Sequence, residues 1–324
     1  MNSTTLLNFI IRSPTLADLS ATVELLNTCW IERIGGGQDT VDQLRAFWTQ
    51  PEVDYQQNIR LAVDQAQVIG YCGVVSTGSD GHYEVIACTH PTRRGQGIGT
   101  ALMQWAEARI AEHRSLISAD GAVIIRCRHF RTDVAGTQLL LDLGYQSVRR
   151  FYEMKIQMSS APPPPVWPTG ITVRGMIADQ EEAAVYLANE EAFRGPGGDL
   201  NHLRQTHFPK WLEWVKSVPD YDPAFFFIAR EDNEIAGVAL CFPKDPEFPD
   251  SGFLHALSVR RPWRRRGIAT ALLQHVFGMC YDRGIHKVIL TVETTNPTGA
   301  TALYENAGMQ VFMQWDTYQK ELQR

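Results

Sequence analysis

Five arginines fall within seven residues of the stretch "RRPWRRRGIATALL", residues 260–273, and run directly into a glycine and an apolar-periodic segment. A second basic turn, "HPTRRGQGIGTALM", occupies residues 90–103. A turn that opens a helix leaves the first backbone N–H groups unpaired, and the helix dipole adds positive charge at the same place. Such a site suits phosphate oxygens. Small residues at alternate positions, Gly97 and Gly99 in one turn and Gly267 and Ala269 in the other, let a ligand approach the backbone. Around them Arg94, Gly95, Gln96, Ile98 and Thr100, and Arg264, Arg265, Arg266, Ile268 and Thr270, complete the two candidate cradles, with the arginines as charge-assisted donors. The chemistry these residues suit is the binding of a pyrophosphate. A Walker loop needs Gly-Lys-Ser/Thr, which is absent, and "GQGIGT" does not have the G-x-G-x-x-G spacing of a dinucleotide fold.

The elements that must position these turns can be read from the flanking pattern. "YEVIACT" precedes the first turn and "FLHALSV" the second, each an apolar strand. After the turns, Ile98, Leu102, Trp105, Ala106 and Ile110, and Ile268, Leu272, His275, Val276 and Met279, return at helical steps. Each turn therefore joins a strand end to a helix start. The similarity extends to the whole chain: "FIIRSPTLADLSATVELLN" is echoed by "ITVRGMIADQEEAAVYLAN", "LAVDQAQVIGYCGVVS" by "IAREDNEIAGVALCFP", and "LLLDLGYQSV" by "ALYENAGMQV". Four blocks in one order, about 160 residues apart, indicate an internal duplication. One repeat reads as a strand, one or two helices, two or three strands, the basic turn, a helix, a strand, a helix and a closing strand, a mixed α/β sheet. Between the copies, "SSAPPPPVWPTG" at 159–170 is a proline-rich spacer that can propagate neither helix nor central strand. The expected organisation is a first domain at 1–158, a linker at 159–170 and a second domain at 171–324.

Composition limits the ligand classes. A chain of 324 residues with 44% hydrophobic and 20% charged residues has enough apolar material for two globular domains. Its net charge of −6 confines the arginines to a local cluster, which speaks against a dedicated nucleic-acid binder. The six cysteines form no C-x-x-C pair and read as buried free thiols of a reducing cytoplasm. The N-terminus shows no export signal, no stretch is long and apolar enough for a membrane span, and no H-E-x-x-H or Cys/His cluster implies a metal.

Arg94-x-x-Gly97-x-Gly99 and Arg264-x-x-Gly267-x-Ala269 resemble the Arg/Gln-x-x-Gly-x-Gly/Ala signature of the GNAT superfamily of N-acetyltransferases. The later segment "NPTGATALYENAGM" is similar to a second motif of that superfamily at Asn296, Ala300 (displaced by one), Leu303, Tyr304 and Gly308. The tandem arrangement resembles the double-domain type exemplified by mycothiol synthases, a likeness of architecture that does not name the acceptor. The resemblance implies two acyl-CoA N-acyltransferase domains. In each, the turn would hold the pyrophosphate of acetyl-CoA, and an acceptor amine would attack its thioester. Backbone groups of the strand ending at Leu257, Ser258 and Val259 would orient the carbonyl, Asn296 would belong to the cofactor site and Tyr304 would be the acid for the leaving thiol.

Aligning Gly144 on Gly308 puts Leu140 where Tyr304 stands and Thr132 where Asn296 stands. The first domain thus keeps a phosphate turn and lacks the acid, so catalysis is expected in the second. For the general base, the strand before the turn offers His255, with Glu84 near the corresponding place in the first copy, and Glu293 ends the next strand. A histidine in an apolar strand can equally be a packed core residue. Glu190, Glu191, Asp245, Glu247 and Asp250 with Trp211, Trp214 and Phe193 are candidates to receive a cationic amine with an apolar body, or are solvated loop. The expected partner is a small-molecule amine, with no nucleic acid and no membrane, acting in a cytoplasmic monomer or homodimer. A protein amine as acceptor, and a non-catalytic acyl-CoA sensor or scaffold, stay open as alternatives.

Overall fold

The computed structural model describes residues 8–36, 39–50, 53–77, 81–112, 122–194, 207–218, 220–245, 247–294 and 299–322. The first half runs β1 (Ile10–Arg12), α1 (Leu19–Ile34), α2 (Val41–Trp48), α3 (Tyr55–Asn58), β2 (Ile59–Asp64), β3 (Gln67–Ser76), β4 (His82–Thr89), α4 (Ile98–Glu112), β5 (Val123–Phe130), α5 (Val134–Asp142) and β6 (Gln146–Gln157). The second repeats the plan: β7 (Ile171–Gly175), α6 (Glu182–Arg194), α7 (Phe208–Ser217), β8 (Phe226–Glu231), β9 (Glu234–Phe242), β10 (Gly252–Val259), α8 (Ile268–Asp282), β11 (Lys287–Glu293), α9 (Ala300–Asn306) and β12 (Gln310–Leu322). Residues 159–168, around the prolines, form no regular element.

Two compact units result, Met1–Phe151 with Met313–Arg324, and Tyr152–Phe312. The last ten described residues of β12 thus count with the first unit, and the end of β6 with the second, whereas the linker boundary would have assigned both the other way. In the first unit the order is β1-β2-β3-β4-β5-β12, and β12 pairs antiparallel with β5 from Trp315↔Phe130 to Leu322↔Val123. In the second it is β6-β11-β10-β9-β8-β7. Both sheets are mixed, because β4–β5 and β10–β11 are parallel while β2–β3, β3–β4, β8–β9 and β9–β10 are antiparallel.

Alternation along the strands feeds two cores per unit, one on each face of the sheet. Leu61 and Val63 of β2 pack under α1 and α2 with Leu25 and Trp48, while Ala62 between them packs under α4 with Ile98 and Leu102. In the second unit Phe226 and Ile228 join the α6 face, and Phe227 and Ala229 join the α8 face. Helix α8 buries Ile268, Leu272, Val276 and Cys280 at four-residue steps along one face, which is why it docks as an amphipathic element.

The duplication is visible in the contacts as well. Arg12 forks onto Asp18 at 2.8 and 2.6 Å, and Arg174 onto Glu181 at 2.6 and 2.6 Å, so in each copy an arginine of the first strand pins the start of the first long helix. Gly70 and Gly237 share a second role. A Cβ on Gly70 would lie 2.7 Å from Ile98 Cγ2, and one on Gly237 would lie 2.7 Å from the Ser258 carbonyl oxygen and 3.3 Å from Leu272 Cδ1. Each glycine lets its strand pass close beneath the helix that carries the basic turn. Gly237→Ala is expected to cost about 1–3 kcal/mol of stability, because its obstacle is backbone and cannot rotate away; urea unfolding would measure it, and an unchanged midpoint would mean that β10 moves freely.

Candidate active site

Both basic turns are built alike. Gly95 and Gly97 are left-handed at φ 76° and 82°, and Arg265 and Gly267 at 63° and 86°. Left-handed residues at alternate positions tilt the intervening amides toward one concavity. The first helical hydrogen bonds are Ala101 N–H to Gly97 O and Ala271 N–H to Gly267 O, at 3.0 and 3.1 Å. The N–H groups of Gly95 to Thr100 and of Arg265 to Thr270 therefore have no backbone partner among the described residues. The side chains of Ile98 and Ile268 are 1% exposed and anchor the turn to the core, so only their backbone faces the concavity.

Beside each turn the two central strands part. The parallel pairing of β4 with β5 ends at Glu84↔Arg126, and that of β10 with β11 ends at Phe253↔Ile289. Arg260 N–H donates to Ala236 O, so by antiparallel alternation Ser258 faces β9 while the backbones of Leu257 and Val259 face the gap. Of the three expected strand residues the gap thus receives two. The Ser258 hydroxyl instead bonds Asn189 Oδ1 at 3.0 Å. In the first unit His90 N–H donates to Ile69 O, which leaves Ala87 and Thr89 facing the corresponding gap.

The arginines are not equivalent. Arg94 forks onto Glu32 at 2.7 and 2.5 Å with Asp133 at 3.8 Å, Arg93 pairs with Asp64, and Arg33 lies 3.6 Å from Asp133. Three carboxylates thus neutralise the basic groups of the first turn. In the second unit Arg264 donates to the carbonyls of Val259 and Ala192 at 3.0 and 2.6 Å, which fixes it to backbone. Arg266 is held by Glu231, and Arg260 by Glu191. Arg261 and Arg265 pair with no carboxylate among the described residues, so the second turn keeps positive charge to offer an anion.

A cavity of about 400 Å³ fills the gap of the first unit, bounded by Arg93, Arg94, Gly95, Gly97 and Gly99 at one end and by Ile98, Leu102, Met103, Leu139 and Leu140 along its length. A basic amide-rich end and an apolar body fit a nucleotide thioester such as acetyl-CoA. Gly99 lets the turn pass close to α5: a Cβ there would stand 2.9 Å from Leu139 Cδ2. The second unit repeats the amide-rich turn and the parted strands. The residues beside the two gaps differ.

Tyr304, on α9, is 8% exposed in the core that contains Ile268 and Leu290. Burial pushes its phenol up to about 12, and among the described residues its hydroxyl bonds no neighbour. Leu140 takes the equivalent place in the first unit, 5% exposed on the cavity wall. Thr132 is exposed at the end of β5, and Asn296, its expected counterpart, lies outside the described residues.

His255 occupies an irregularity that the sequence did not announce. The β9–β10 register runs Leu254↔Cys241 and then Ala256↔Leu240, leaving His255 as the extra residue of a β-bulge. The bulge re-aims the strand: Leu254 and Leu257 pack on the α8 face, Phe253 and Ala256 on the α6 face. The His255 ring sits 4.8 Å from Trp214 and about 6 Å from Phe242 and Phe253. Its surface is still exposed, so the ring packing lowers its pKa below the ordinary histidine value without shutting out water. In the first unit the β3–β4 register is unbroken from Gly70↔Thr89 to Ser76↔Tyr83, and Glu84 is an ordinary paired residue opposite Val75. Glu293 ends β11 half-buried.

Of the acidic residues considered for the acceptor, Asp245 accepts the N–H groups of Glu247 and Phe248 and holds its own loop. Asp250 pairs with Lys287 at 2.7 Å and Glu191 with Arg260 at 2.9 Å. These three are engaged; Trp214 and Phe193 remain 42% and 61% exposed. Among the described residues no group of His, Cys, Asp and Glu is arranged to hold a metal, and no helix is long and apolar enough to cross a membrane.

Two family models match the chain, "Acetyltransferase (GNAT) domain" over residues 56–153 and "Acetyltransferase (GNAT) family" over 185–309. A GCN5-related N-acetyltransferase from Sphaerobacter thermophilus superposes with a TM-score of 0.82 at 33% identity, covering 98% of this chain and 96% of that one. The chain belongs to the GNAT acetyltransferase family. As a GNAT acyltransferase it takes its acetyl group from acetyl-CoA, and both basic turns fall inside or beside the matched segments. Mycothiol acetyltransferases of Paenarthrobacter aurescens (strain TC1) and Streptomyces coelicolor are 27% and 26% identical over 253 and 257 residues, covering 76% and 78% of this chain and 72% and 75% of theirs. A tandem GNAT protein from the clavulanic acid biosynthesis pathway shares the fold, with a TM-score of 0.68 at 13% identity over 97% of this chain and 98% of that one.

Proposed function

We propose that this tandem GNAT protein acetylates the primary amine of a small molecule, and that the second unit carries out the transfer while the first contributes a cofactor-binding or supporting domain. The observation that carries this reading is the asymmetry between the copies. The second has both the bulge at His255 and the buried phenol of Tyr304, and the first has an unbroken strand and Leu140 at those places.

Bound acetyl-CoA supplies the activated acetyl thioester. Open amides of the second turn, with Arg265 and the fixed Arg264, would hold the pyrophosphate, and the gap-facing backbones of Leu257 and Val259 would orient the acyl carbonyl. His255, neutral at pH 7 because its pKa is lowered, is poised to take a proton from an incoming ammonium. Tyr304 holds its proton firmly at neutral pH and is suited to donate its Oη–H to a sulfur that gains charge. Trp214 and Phe193 offer apolar surface to the acceptor body, and the relatives named mycothiol acetyltransferase favour a small acceptor over a protein. The domain limits that fit this reading are 1–158 and 171–324 in sequence.

Calorimetric titration with acetyl-CoA, paired with assay of CoA release, tests the division of labour. Arg264→Glu is expected to weaken binding in the second unit by roughly tenfold to a hundredfold and to lower turnover with it. Arg94→Glu, which adds an acid to a turn already neutralised by Glu32 and Asp133, should remove first-unit binding and leave turnover nearly intact. Equal loss of activity in both variants would overturn the assignment.

A further inference from the structure

The two basic turns carry different charges at places where their backbones agree. Each is entered through a short 3₁₀ turn, Pro91–Arg93 in the first unit and Arg261–Trp263 in the second, and each passes through two left-handed residues into its helix. Matching Arg94-x-x-Gly97 to Arg264-x-x-Gly267 sets Pro91 opposite Arg261 and Gly95 opposite Arg265. The first unit thus has an uncharged residue wherever the second has one of these two arginines.

The other basic groups of the second turn are already committed. Buried Trp263 docks the 3₁₀ turn on the core and donates its Nε1–H to Glu231 Oε2 at 2.8 Å, and the same carboxylate holds Arg266. Arg260 is shared between Glu191 and Glu234, and Arg264 is fixed to backbone carbonyls. Arg261 and Arg265 are exposed, and among the described residues neither side chain has a hydrogen bond or a carboxylate partner. Arg265 also holds a left-handed backbone, φ 63°, where Gly95 does so without steric cost. In the first unit Arg33, Arg93 and Arg94 face Glu32, Asp64 and Asp133, which leaves no such surplus.

Coenzyme A carries two separate anionic groups, the pyrophosphate and a phosphate monoester on the 3′-oxygen of the adjoining ribose. The open amides of a turn suit the first of these. We propose that Arg261, with Arg265 beside the amides, reads the second, so that the second unit selects 3′-phosphorylated coenzyme A over dephospho-coenzyme A while the first unit accepts both alike. A guanidinium matches a phosphate dianion with paired charge-assisted hydrogen bonds, and two exposed ones give about a tenfold preference because water and salt screen them. This inference rests on the reading that the second turn binds the cofactor, and adds which part of the cofactor each unit recognises.

Calorimetric titration of the full chain with coenzyme A and, separately, with dephospho-coenzyme A tests it, with Arg94→Glu used to leave the second site alone and Arg264→Glu to leave the first. In the Arg94→Glu chain coenzyme A should bind about tenfold tighter than dephospho-coenzyme A at low salt, with the preference shrinking as salt is raised. Adding Arg261→Gln and Arg265→Gly should bring the two affinities within about twofold, as should the first site of the Arg264→Glu chain. Equal binding of the two compounds at the second site, or the same preference at the first, would overturn the inference and leave the cofactor reading standing. Absence of second-site binding by either compound would overturn both. The comparison of the two compounds on the Arg94→Glu chain decides the matter even if the further variant folds poorly.

Discussion

Tyr304→Phe is expected to lower kcat by about 10²–10³-fold while leaving the folded protein as stable as before. The substitution removes one oxygen from a core position, and that oxygen makes no hydrogen bond among the described residues, so no partner is stranded. Stability should be unchanged in urea, whereas proton donation to the sulfur is lost. The phenol near 12 is a weaker acid than a thiol, so its contribution is a hydrogen bond strengthened as charge develops more than a completed early transfer. A loss in kcat with little change in the acceptor KM distinguishes that role from simple positioning. Full activity in the phenylalanine variant would move the acid elsewhere and weaken the assignment of chemistry to the second unit. Leu140→Val in the first unit is the matching control, expected to leave kcat unchanged.

The second large effect concerns Asp316, a residue of β12 that is 2% exposed in the first unit. Its carboxylate accepts from Arg150 Nε at 2.9 Å, Ser147 Oγ at 3.1 Å and Arg131 Nη1 at 3.4 Å. Burial raises its pKa, but the Arg150 hydrogen bond and charge, with Ser147 and Arg131, outweigh that and leave it below the ordinary aspartate value. Asp316→Ala is expected to cost about 2–3 kcal/mol, less than a fully buried pair because the arginines are partly exposed. Because the folded pKa is depressed, the contribution is fully present above about pH 4 and is lost as pH falls through the folded value. Urea midpoints measured across that range should converge for wild type and variant at the acid end. A constant difference at all pH values would show that packing, not charge, holds the strand.

The residues around Asp316 also explain why a cut in the proline linker would not separate the units cleanly. Residues 315–322 supply the antiparallel partner of β5, with Trp315 stacked on Phe151 at 4.1 Å and Lys320 bound to Glu107 at 2.8 Å. These partners lie about 160–215 positions away along the chain, and no local pattern in "MQWDTYQKEL" announces which sheet it will join.

By itself the sequence determined the local and repeated features. The four-block duplication and the strand–turn–helix around Gly97 and Gly267 were legible because left-handed turns, helix starts and apolar periodicity depend on neighbouring residues. The replacement of Tyr304 by Leu140 was legible too, since alignment of the copies needs no coordinates. Only the tertiary structure decided which of the basic side chains are free. Glu32, Asp64 and Glu231 come to the arginines from other elements, and their charges could not be assigned partners along the chain. It also decided that His255 stands at a bulge, because "FLHALSV" alternates as an ordinary strand and the extra residue exists only relative to β9. The Cys29 thiol likewise reaches the Thr89 carbonyl only where α1 crosses β4. Backbone conformation follows from short-range sterics that a sequence displays, whereas charge pairing and bulge register are properties of residues brought together by folding.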